Sequence, residues 1–422
     1  MRLLILHMRY APDPTGTGPL VTQLARDLVG LGDEVCVVTS APHYGRPLAA
    51  GRQADRSGQD EAGVGVIRTA AITRAAGHRL VRALDYALYT ILSFFAGLGA
   101  GRPDAILAIA PPILVALPAV LLARLWRVPL VFGAQDIWPD GLVHMGQLRP
   151  GLAYRLLRRL ERWVYRASER IVVVAPGMKA NLLAKGVQGD KVETIPNWVD
   201  LQAITPQTSG DDFRRRHDLQ GRFVVLFAGN LGYAAGLEVA LAAAGELQDD
   251  ARLVLVIVGE GSAKPQLMGL AQRQRLPNMR FVPTVPPQEV SGMLASADLA
   301  LVTLRPGLGS LSVPSKALAY MASGRPIVAA VPADSEIKTI IERAECGQWV
   351  PSGKPAALAS AVRALAAAGE ELGRMGLRGR AYAEANFARP AAVAAYRRVL
   401  AEVLAARHPD NAESGESGES VR

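Results

Sequence analysis

A short apolar run, a glycine turn and a helical segment recur together in both halves of the 422-residue chain. In the first half, the run at residues 3–6 leads to Gly16, Thr17 and Gly18 and then to a helical pattern over 19–31. In the second half, runs at 223–228 and 253–258 end in glycine turns. Such runs are typical of buried parallel strands, and strand, glycine turn and helix begin a nucleotide-binding α/β unit. The sequence therefore predicts two doubly wound, Rossmann-like α/β domains facing a central cleft.

The chain is long for one hydrophobic core, which also favours two domains. The polar stretch 201–221 predicts a linker between a first domain, 1–200, and a second domain, 222–389. We expect the helical segment 390–407 to return to the first domain, although capping of the second domain is an alternative. A Glu-Ser-Gly repeat predicts a disordered tail over 408–422, and the polar, Gly-rich stretch 45–63 predicts a mobile loop.

The positive charge is concentrated in the first half. Residues 1–200 hold 23 Lys and Arg against 16 Asp and Glu, whereas the remainder holds 24 against 22. Lipid headgroups or nucleic acid would both fit this excess, but the chain lacks a recognisable nucleic-acid module, so no nucleic acid is expected. Two distant cysteines, Cys36 and Cys346, and scattered histidines give no metal-ligand spacing, so no metal or cofactor is expected. The cysteine usage favours a reducing cytosol.

Two long apolar stretches are candidates for membrane-spanning segments. The stretch 86–101 is short for a bilayer span, and 105–123 is broken by prolines, so neither is predicted to cross a membrane. Basic residues from Arg149 to Lys185, interleaved with apolar residues on the helical segment near 152–170, predict an interfacial patch on an anionic membrane; a solvated helix face is the alternative. A second candidate surface combines Arg79 and Arg82 with Tyr89, Leu92, Phe94 and Phe95.

A helix start at Pro314, Ser315 and Lys316 predicts an anion site. Ser315 suits the N-cap, and Gly324 followed by a proline is a stop signal. Free N–H groups at the helix start and the charge of Lys316 would attract an anion. An ordinary helix with a solvated lysine is an equally good interpretation of this stretch alone.

Gln135 and Asp136 follow a predicted strand at the carboxyl edge of the first sheet, where α/β domains bind their ligands. Asp136 is a candidate for orienting a sugar or acceptor hydroxyl, and a turn aspartate is at least as good an interpretation from spacing. Trp138 is more often a core residue than a sugar platform. His144 is more often a surface or packing residue than a base.

Several motifs occur in an order that resembles a known family. They are Tyr10, Pro12 and residues 15–18; Pro111-Pro112; residues 136–140; residues 195–200; residues 229–232 with Gly236 and Leu237; residues 258–261; and residues 314–316 with 320–326. This series resembles the retaining glycosyltransferases of family 4, which have the GT-B fold. It is most similar to bacterial surface-polysaccharide enzymes such as colanic-acid and O-antigen N-acetylfucosaminyl transferases. The resemblance extends from residue 1 to about 407.

The resemblance implies a nucleotide-diphosphate sugar, by preference a uridine one, bound mainly by the second domain. The donor-binding positions it implies are Gly16, Thr17, Gly18, Gly229, Asn230, Gly232, Gly259, Glu260, Val282, Pro314, Ser315 and Lys316. Gln135, Trp138 and His144 are the candidates for contacting the acceptor. Asp136, Asn230 and Lys316 are the candidates for the chemistry, with same-face attack and no metal; the leaving diphosphate requires a cation, which Lys316 supplies.

The chain departs from the family pattern at several positions. Many members carry two glutamates where this chain has Leu311 and Ala319, and an Arg and a Lys where it has Asn230 and Ala235. The leading interpretation is an enzyme that acts on a lipid-linked saccharide acceptor and lies peripherally on the cytoplasmic face of the cell membrane. A transferase for a soluble acceptor and a non-catalytic sugar-nucleotide-binding subunit are the alternatives.

Overall fold

The computed structural model describes residues 1–13, 16–42, 57–71, 79–311 and 313–407, with the backbone alone at 57, 79, 80 and 82. The chain forms two compact units. The first contains Met1–Pro139, Pro150–Ile195 and the described residues from Pro390, and the second contains Asp140–Arg149 and Pro196–Arg389. Residues 140–149, expected in the first domain, therefore group with the second unit. The predicted tail at 408–422 lies outside the described residues.

The first unit is built on an eight-stranded sheet with the order β3-β4-β2-β1-β5-β6-β7-β8. Only β3 runs antiparallel to its neighbour. Strands such as β5 are buried along their whole length, as expected for parallel strands covered on both faces. The strands are β1 (Arg2–Leu6), β2 (Glu34–Ser40), β3 (Ser57–Gln59), β4 (Gly65–Thr69), β5 (Ala105–Ile109), β6 (Leu130–Ala134), β7 (Arg170–Val173) and β8 (Val192–Thr194).

Three helices of the first unit share one face of this sheet. The connections β4 to β5, β5 to β6 and β6 to β7 all advance in the same direction, so right-handed crossovers place their helices on the same side. Gly97 allows the first two to pack closely, because a Cβ there would lie 2.4 Å from Leu122 Cδ1. The unit's helices are α1 (Gly18–Gly30), α2 (Arg79–Gly99), α3 (Ala116–Trp126), α5 (Leu152–Ala167), α6 (Pro176–Ala184) and α15 (Arg389–Ala405).

Helix α15 packs on the first unit. Arg397 Nε lies 3.0 Å from Asp33 Oδ2, and Arg398 pairs with Glu193. The buried face of α15 is apolar and includes Val393, Val399 and Leu400, among others. The chain thus returns to the first unit after the second is complete.

The stretch predicted to be a mobile loop is ordered over its described part. Residues 45–56 lie outside the described residues, but β3 pairs with β4, so the prediction was wrong from residue 57 onward. Asp60 closes the following turn, because its Oδ1 accepts hydrogen bonds from the N–H groups of Ala62 (2.9 Å) and Val64 (3.0 Å). The short β3 was missed because three polar residues carry no hydrophobic pattern.

The second unit is built on a six-stranded, wholly parallel sheet with the order β11-β10-β9-β12-β13-β14. Its strands are β9 (Phe223–Ala228), β10 (Leu253–Val258), β11 (Met279–Val282), β12 (Leu299–Thr303), β13 (Ile327–Val331) and β14 (Gly347–Pro351). Its helices are α4 (Asp140–His144), α7 (Asp211–Arg216), α8 (Glu238–Glu246), α9 (Lys264–Arg273), α10 (Val290–Ala295), α11 (Lys316–Ala322), α12 (Glu336–Ala344), α13 (Pro355–Ala366) and α14 (Glu370–Asn386).

The stretch 201–221, expected to be the linker between the domains, packs on the second unit. Helix α7 lies within 201–221 and buries Phe213. Arg214 Nη2 reaches Asp298 Oδ2 at 2.8 Å, and a Cβ on Gly210 would lie 2.3 Å from the backbone nitrogen of Ser296. The polar composition of this stretch predicted a linker, but the single apolar side chain of Phe213 is enough to fix it on the second unit.

Each sheet reverses its winding direction once, so the two doubly wound domains predicted from the sequence are confirmed. The reversal lies between β1 and β5 in the first unit and between β9 and β12 in the second. The register of β9 with β12 contains only Leu299↔Val225 and Ala300↔Leu226, so these strands diverge toward their carboxyl ends. Such a reversal point is where open α/β sheets bind ligands. Within the described residues, no helix has the length and apolar character needed to cross a bilayer.

Candidate functional site

Two glycine turns stack against each other at the carboxyl edge of the second sheet. The Gly229 N–H donates to Val258 O (2.9 Å), and the Gly259 N–H donates to Val282 O (3.0 Å). A Cβ on Gly259, whose φ is +144°, would lie 2.0 Å from the carbonyl oxygen of Gly229. Only glycine fits there, so the backbone of these turns can approach a ligand closely. The Val282 carbonyl at this strand end therefore already accepts one hydrogen bond.

Lys316 lies at the opening between β9 and β12. Its Nζ is 4.3 Å from the ring centroid of Phe227, and its Cε is 3.1 Å from the position of a Cβ on Gly229. The Tyr320 hydroxyl accepts a 2.7 Å hydrogen bond from the Ala228 N–H and so ties α11 to the end of β9. Burial lowers the pKa of Lys316 to about 8. Within the described residues no carboxylate pairs with Lys316, so this cation is available to an anionic ligand.

The predicted helix start at 314–316 is confirmed. Ser315 is the N-cap of α11, although its side chain makes no capping hydrogen bond. The helix has seven residues, so its dipole adds only a modest field and most of the positive potential at this point comes from Lys316. Two of the departures from the family pattern lie close to this helix start in sequence: Leu311 is buried and Ala319 is half-buried, and neither supplies a carboxylate.

The polar residues of the glycine turns differ in what they offer. Asn230 is exposed and its Oδ1 lies 2.7 Å from the position of a Cβ on Gly261, so the amide lies across the neighbouring turn. Its Nδ2 is 3.4 Å from the position of a Cβ on Gly232. Glu260 is exposed and forms an ion pair with Lys264 at 2.5 Å. Asn230 is therefore free to hydrogen-bond a phosphate or sugar oxygen, whereas the charge of Glu260 is already compensated.

In the first unit, a buried histidine that the sequence reasoning missed fixes the glycine loop. His7 is fully buried at the end of β1, with Nδ1 2.8 Å from Ile109 O and Nε2 2.8 Å from Thr17 Oγ1. A carbonyl only accepts, so Nδ1 carries the proton and Nε2 accepts from the Thr17 hydroxyl. Burial lowers the pKa of His7 to about 4, which keeps it neutral at physiological pH. The interruption of an apolar strand by one histidine was the available signal.

Further contacts hold the loop around Gly16 and Gly18. Gly16 has φ +65°, and the Thr22 hydroxyl donates to Gly18 O at 2.9 Å. The Tyr10 hydroxyl donates to Asp60 Oδ2, also at 2.9 Å. Residue 15, part of the predicted motif, lies outside the described residues. The loop is thus held on both sides.

Asp136 lies just beyond β6, as predicted. Gln135 and Ile137 are buried, and Asp136 and Trp138 are half-buried. Burial raises the pKa of Asp136 to about 7. Desolvation, and not a charged neighbour, is the cause of this shift.

The three candidate acceptor residues do not belong to one unit. Gln135 and Trp138 lie in the first unit, whereas His144, at the end of α4, groups with the second. Its Nδ1 is 2.8 Å from the position of a Cβ on Gly307. His144 therefore packs beside the loop that follows β12, a position the sequence did not predict.

Comparison with known proteins identifies both halves. Residues 15–198 match the family described as "Glycosyl transferase 4-like domain", and residues 222–368 match "Glycosyl transferases group 1". The chain is 27% identical over 351 residues to an Escherichia coli protein named as a colanic acid biosynthesis glycosyl transferase, WcaI, covering 81% of this chain and 86% of that protein. It is 32% identical over 262 residues to WbjE of Pseudomonas aeruginosa, named as a glycosyltransferase, covering 62% and 65%.

The fold also matches a solved structure. Anabaena HepE, in complex with UDP and glucose, superposes with a TM-score of 0.73 at 15% identity over 95% of this chain and 99% of that one. At this identity the likeness concerns the fold alone. Two parallel-sheet units, the two domain matches and the two relatives agree, and the chain belongs to the GT-B glycosyltransferases of the family 4 type, in which a glycosyl transferase 4-like domain is followed by a group 1 domain.

Proposed function

We propose that this glycosyltransferase moves a sugar from a UDP-linked donor to a lipid-linked saccharide acceptor during synthesis of a cell-surface polysaccharide. It would act as a peripheral protein on the cytoplasmic face of the cell membrane. The polysaccharide class is supported by WcaI, which is named for colanic acid biosynthesis. The lipid-linked acceptor and the membrane location rest on the surface of the first unit.

The donor half of the proposal rests on the reversal point of the second sheet. The stacked glycine turns present backbone, Asn230 presents an amide, and Lys316 presents a cation without a described carboxylate partner. A nucleoside diphosphate could accept hydrogen bonds from these groups and pair its negative charge with the cation. HepE, which has the same fold, was solved with UDP and glucose. Pro314, Ser315 and Lys316 would contact the diphosphate, with Gly229, Asn230 and Gly232 beside it. Gly259, Glu260 and the main chain near Val282 would line the nucleoside.

The chemistry follows from charge. As the glycosidic bond breaks, negative charge accumulates on the departing diphosphate, and Lys316 would stabilise it there. Gly16, Thr17 and Gly18 remain candidates for binding the donor, and Asp136 would orient an acceptor hydroxyl. Attack from the same face, with the leaving phosphate taking the acceptor proton, gives retention without a carboxylate nucleophile. Gln135, Trp138 and His144 remain candidates for binding the acceptor.

One observation carries the membrane half of the proposal. Of the thirteen large apolar side chains exposed in the described part of the chain, eight lie on the adjacent helices α2, α3 and α5. We call this surface the three-helix face. Its exposed apolar residues are Leu84, Ile91, Phe95, Leu98, Leu121, Leu125, Leu152 and Leu156.

The charges of the three-helix face suit an anionic bilayer. The three helices contain eight arginines and two acidic residues, Asp85 and Glu161, both of which are buried. Glu161 Oε1 lies 2.7 Å from Lys185 Nζ, so its charge is compensated internally. Arg124 lies over the ring of Trp163 at 5.1 Å. The apolar side chains of such a surface can contact lipid tails while its arginines bind anionic headgroups. A second copy of this chain is a poorer partner, because its arginines would face those of the first copy.

The structure corrects which residues of α2 and α5 belong to this surface. Tyr89, expected on it, is buried, and its hydroxyl donates to Val38 O at 2.9 Å. Leu92 and Phe94 are half-buried, and the side chains of Arg79 and Arg82 lie outside the described residues. On α5, Arg155, Arg159 and Arg162 are exposed, whereas Arg158 lies 3.4 Å from Glu161.

Vesicle flotation tests the membrane half. The protein should float with anionic vesicles and less with neutral ones, and the triple variant Arg155→Glu, Arg159→Glu, Arg162→Glu should stay at the bottom. A matched control reverses three exposed arginines of the second unit: Arg273, Arg280 and Arg343. If wild type fails to float with anionic vesicles at low salt, or the control variant is released equally, the membrane proposal is wrong.

Turnover tests the donor and acceptor. Nucleotide sugars would first be screened for binding by calorimetry, and those that bind would be assayed with polyprenyl-diphosphate-linked sugars and with the same sugars free in solution. We expect turnover on the lipid-linked series. Equal rates on both series would support the soluble-acceptor alternative instead.

A further inference from the structure

We propose that Arg305 binds the donor diphosphate together with Lys316, and that Glu238 occupies the Arg305 guanidinium only until the donor arrives. This inference rests on the proposed nucleotide-diphosphate donor in the second unit. It assigns a second cation to a site in which the sequence offered only one.

Arg305 lies at the reversal point of the second sheet. It follows the end of β12 by two residues, on the same connection that leads to Lys316. Its backbone N–H donates to Ala234 O at 3.0 Å, and its Cγ lies 2.9 Å from the position of a Cβ on Gly236. Arg305 therefore touches the loop that begins with the Gly229 turn. Arg305 thus lies on the connection that leaves β12, and Lys316 lies beside the end of β9, the two strands that diverge at this point.

The guanidinium has donor capacity that the protein does not use. Its Nη2 lies 2.6 Å from Glu238 Oε1, and its Nε is buried with no hydrogen-bond partner in the part of the chain that the structure describes. A buried N–H without a partner is costly, and an arginine offers five donors in a planar fork. The side chain as a whole is 40% exposed, so a ligand can reach the guanidinium from its Nη side. An accessible guanidinium held by a single carboxylate oxygen has donors left for a further acceptor.

Glu238 can be displaced by a diphosphate. It is 36% exposed, and an ion pair between two partly exposed groups contributes little because water competes for both. A phosphate offers more acceptor oxygens than the single carboxylate oxygen now in contact, and arginine binds phosphate in bidentate fashion. Two cations also match the charge of a departing nucleoside diphosphate better than Lys316 alone, whose pKa is lowered.

The competing explanation is purely structural. Arg305 and Glu238 would then only clamp the loop before α8 to the loop after β12. The two explanations predict opposite effects of removing Glu238 on the affinity for the diphosphate. If the pair is a clamp, removing either side chain loosens the site equally. If Arg305 binds the diphosphate, removing Glu238 frees the guanidinium for it.

The experiment is calorimetric titration of the full chain with UDP and UMP. Arg305→Ala should weaken UDP binding by about 10- to 100-fold and UMP binding by much less. Arg305→Lys should fall between, and Glu238→Ala should bind UDP at least as tightly as wild type. The control is Arg252→Ala, which removes an exposed arginine paired with Asp250 at the opposite edge of the same sheet. It should leave both affinities unchanged.

Wild-type UDP affinity in Arg305→Ala, equal losses for UDP and UMP, or a Glu238→Ala loss as large as that of Arg305→Ala would overturn this inference and leave the proposed donor intact. Failure of wild type to bind UDP at all would overturn both. Circular dichroism of each variant shows whether it is folded, and Arg305→Lys and Glu238→Ala still decide the question if Arg305→Ala is not.

Discussion

Replacing Asp136 by Asn should make the protein more stable and less active, and the gain in stability should depend on pH. Burial raises the pKa of this carboxyl from 3.8 to about 7. The shift is about three units, and each unit corresponds to 1.36 kcal/mol, so keeping the ionised form in the folded state costs at most about 4 kcal/mol. Because the side chain is only half-buried, water screens part of this, and about 2 kcal/mol is the expected cost.

The sign of the effect follows from proton linkage. Below pH 4 the carboxyl is protonated in both the folded and the unfolded chain, so it costs nothing. Between pH 4 and 7 the unfolded chain releases the proton while the folded one keeps it, so stability falls as pH rises. Above pH 7 the cost is constant. Asn carries no charge at any pH, so Asp136→Asn and wild type should melt together at pH 4 and separate by pH 8.

Differential scanning calorimetry measures this separation. For a unit of about 200 residues, 2 kcal/mol corresponds to roughly 4–8 °C in melting temperature. Asp190→Asn, at an exposed aspartate of the same unit, is the control. In the same preparations kcat/KM should fall by about 100-fold, the usual range for losing one positioned general-base or orienting group. A variant that is no more stable at pH 8 than wild type would refute the idea that Asp136 is held at an energetic cost.

The remaining predictions concern other parts of the two sites. Lys316→Ala should lower kcat by about 100- to 1,000-fold, by analogy with losing one donor that stabilises a developing oxyanion, with an unchanged circular dichroism spectrum; wild-type rates would count against its role. Because the pKa of Lys316 is about 8 without ligand, UDP affinity should fall as pH rises above 8, and calorimetry in two buffers at pH 8 should detect proton uptake on binding. Gly259→Ala should abolish UDP binding, because a Cβ would meet the Gly229 carbonyl oxygen at 2.0 Å; retained affinity would show that the stacked turns are not the site. His7→Leu should destabilise the first unit by about 1–3 kcal/mol, because the Thr17 hydroxyl loses its acceptor, and urea unfolding that matches wild type would contradict this.

The sequence predicted most of what depends on local pattern. Buried strands, their order along the chain and the glycine turns after β9 and β10 follow from apolar runs bounded by glycine, and each is present. The start of α11 at Ser315 was also predicted, because capping preferences act within a few residues. Gly229 and Gly259 were named for a motif, and the structure adds the physical reason, which is the contact of one turn with the other.

What the sequence did not predict depends on contacts between distant residues. His7 is separated from Ile109 by 102 residues, and no local pattern announces that its ring joins Thr17 to that strand. The sequence around Glu161 shows one acidic residue among several arginines, whereas in the structure its carboxylate is buried and pairs with Lys185. Arg305 reads as an ordinary surface arginine until its contact with Gly236 is seen. In each case tertiary packing, not propensity, decides the environment of a charged or polar group.

The late position of α15 in the chain has a consequence for how this protein is made. The helix buries at least five apolar side chains, and at about 1.5–3 kcal/mol each they contribute on the order of 10 kcal/mol, as much as the net stability of a typical domain. The ribosome synthesises this helix after all of the second unit. During translation the first unit therefore waits, with a strip of its apolar surface uncovered, until the second has been completed. A fragment ended at residue 200 should aggregate, whereas the same fragment joined by a short linker to residues 389–407 should fold.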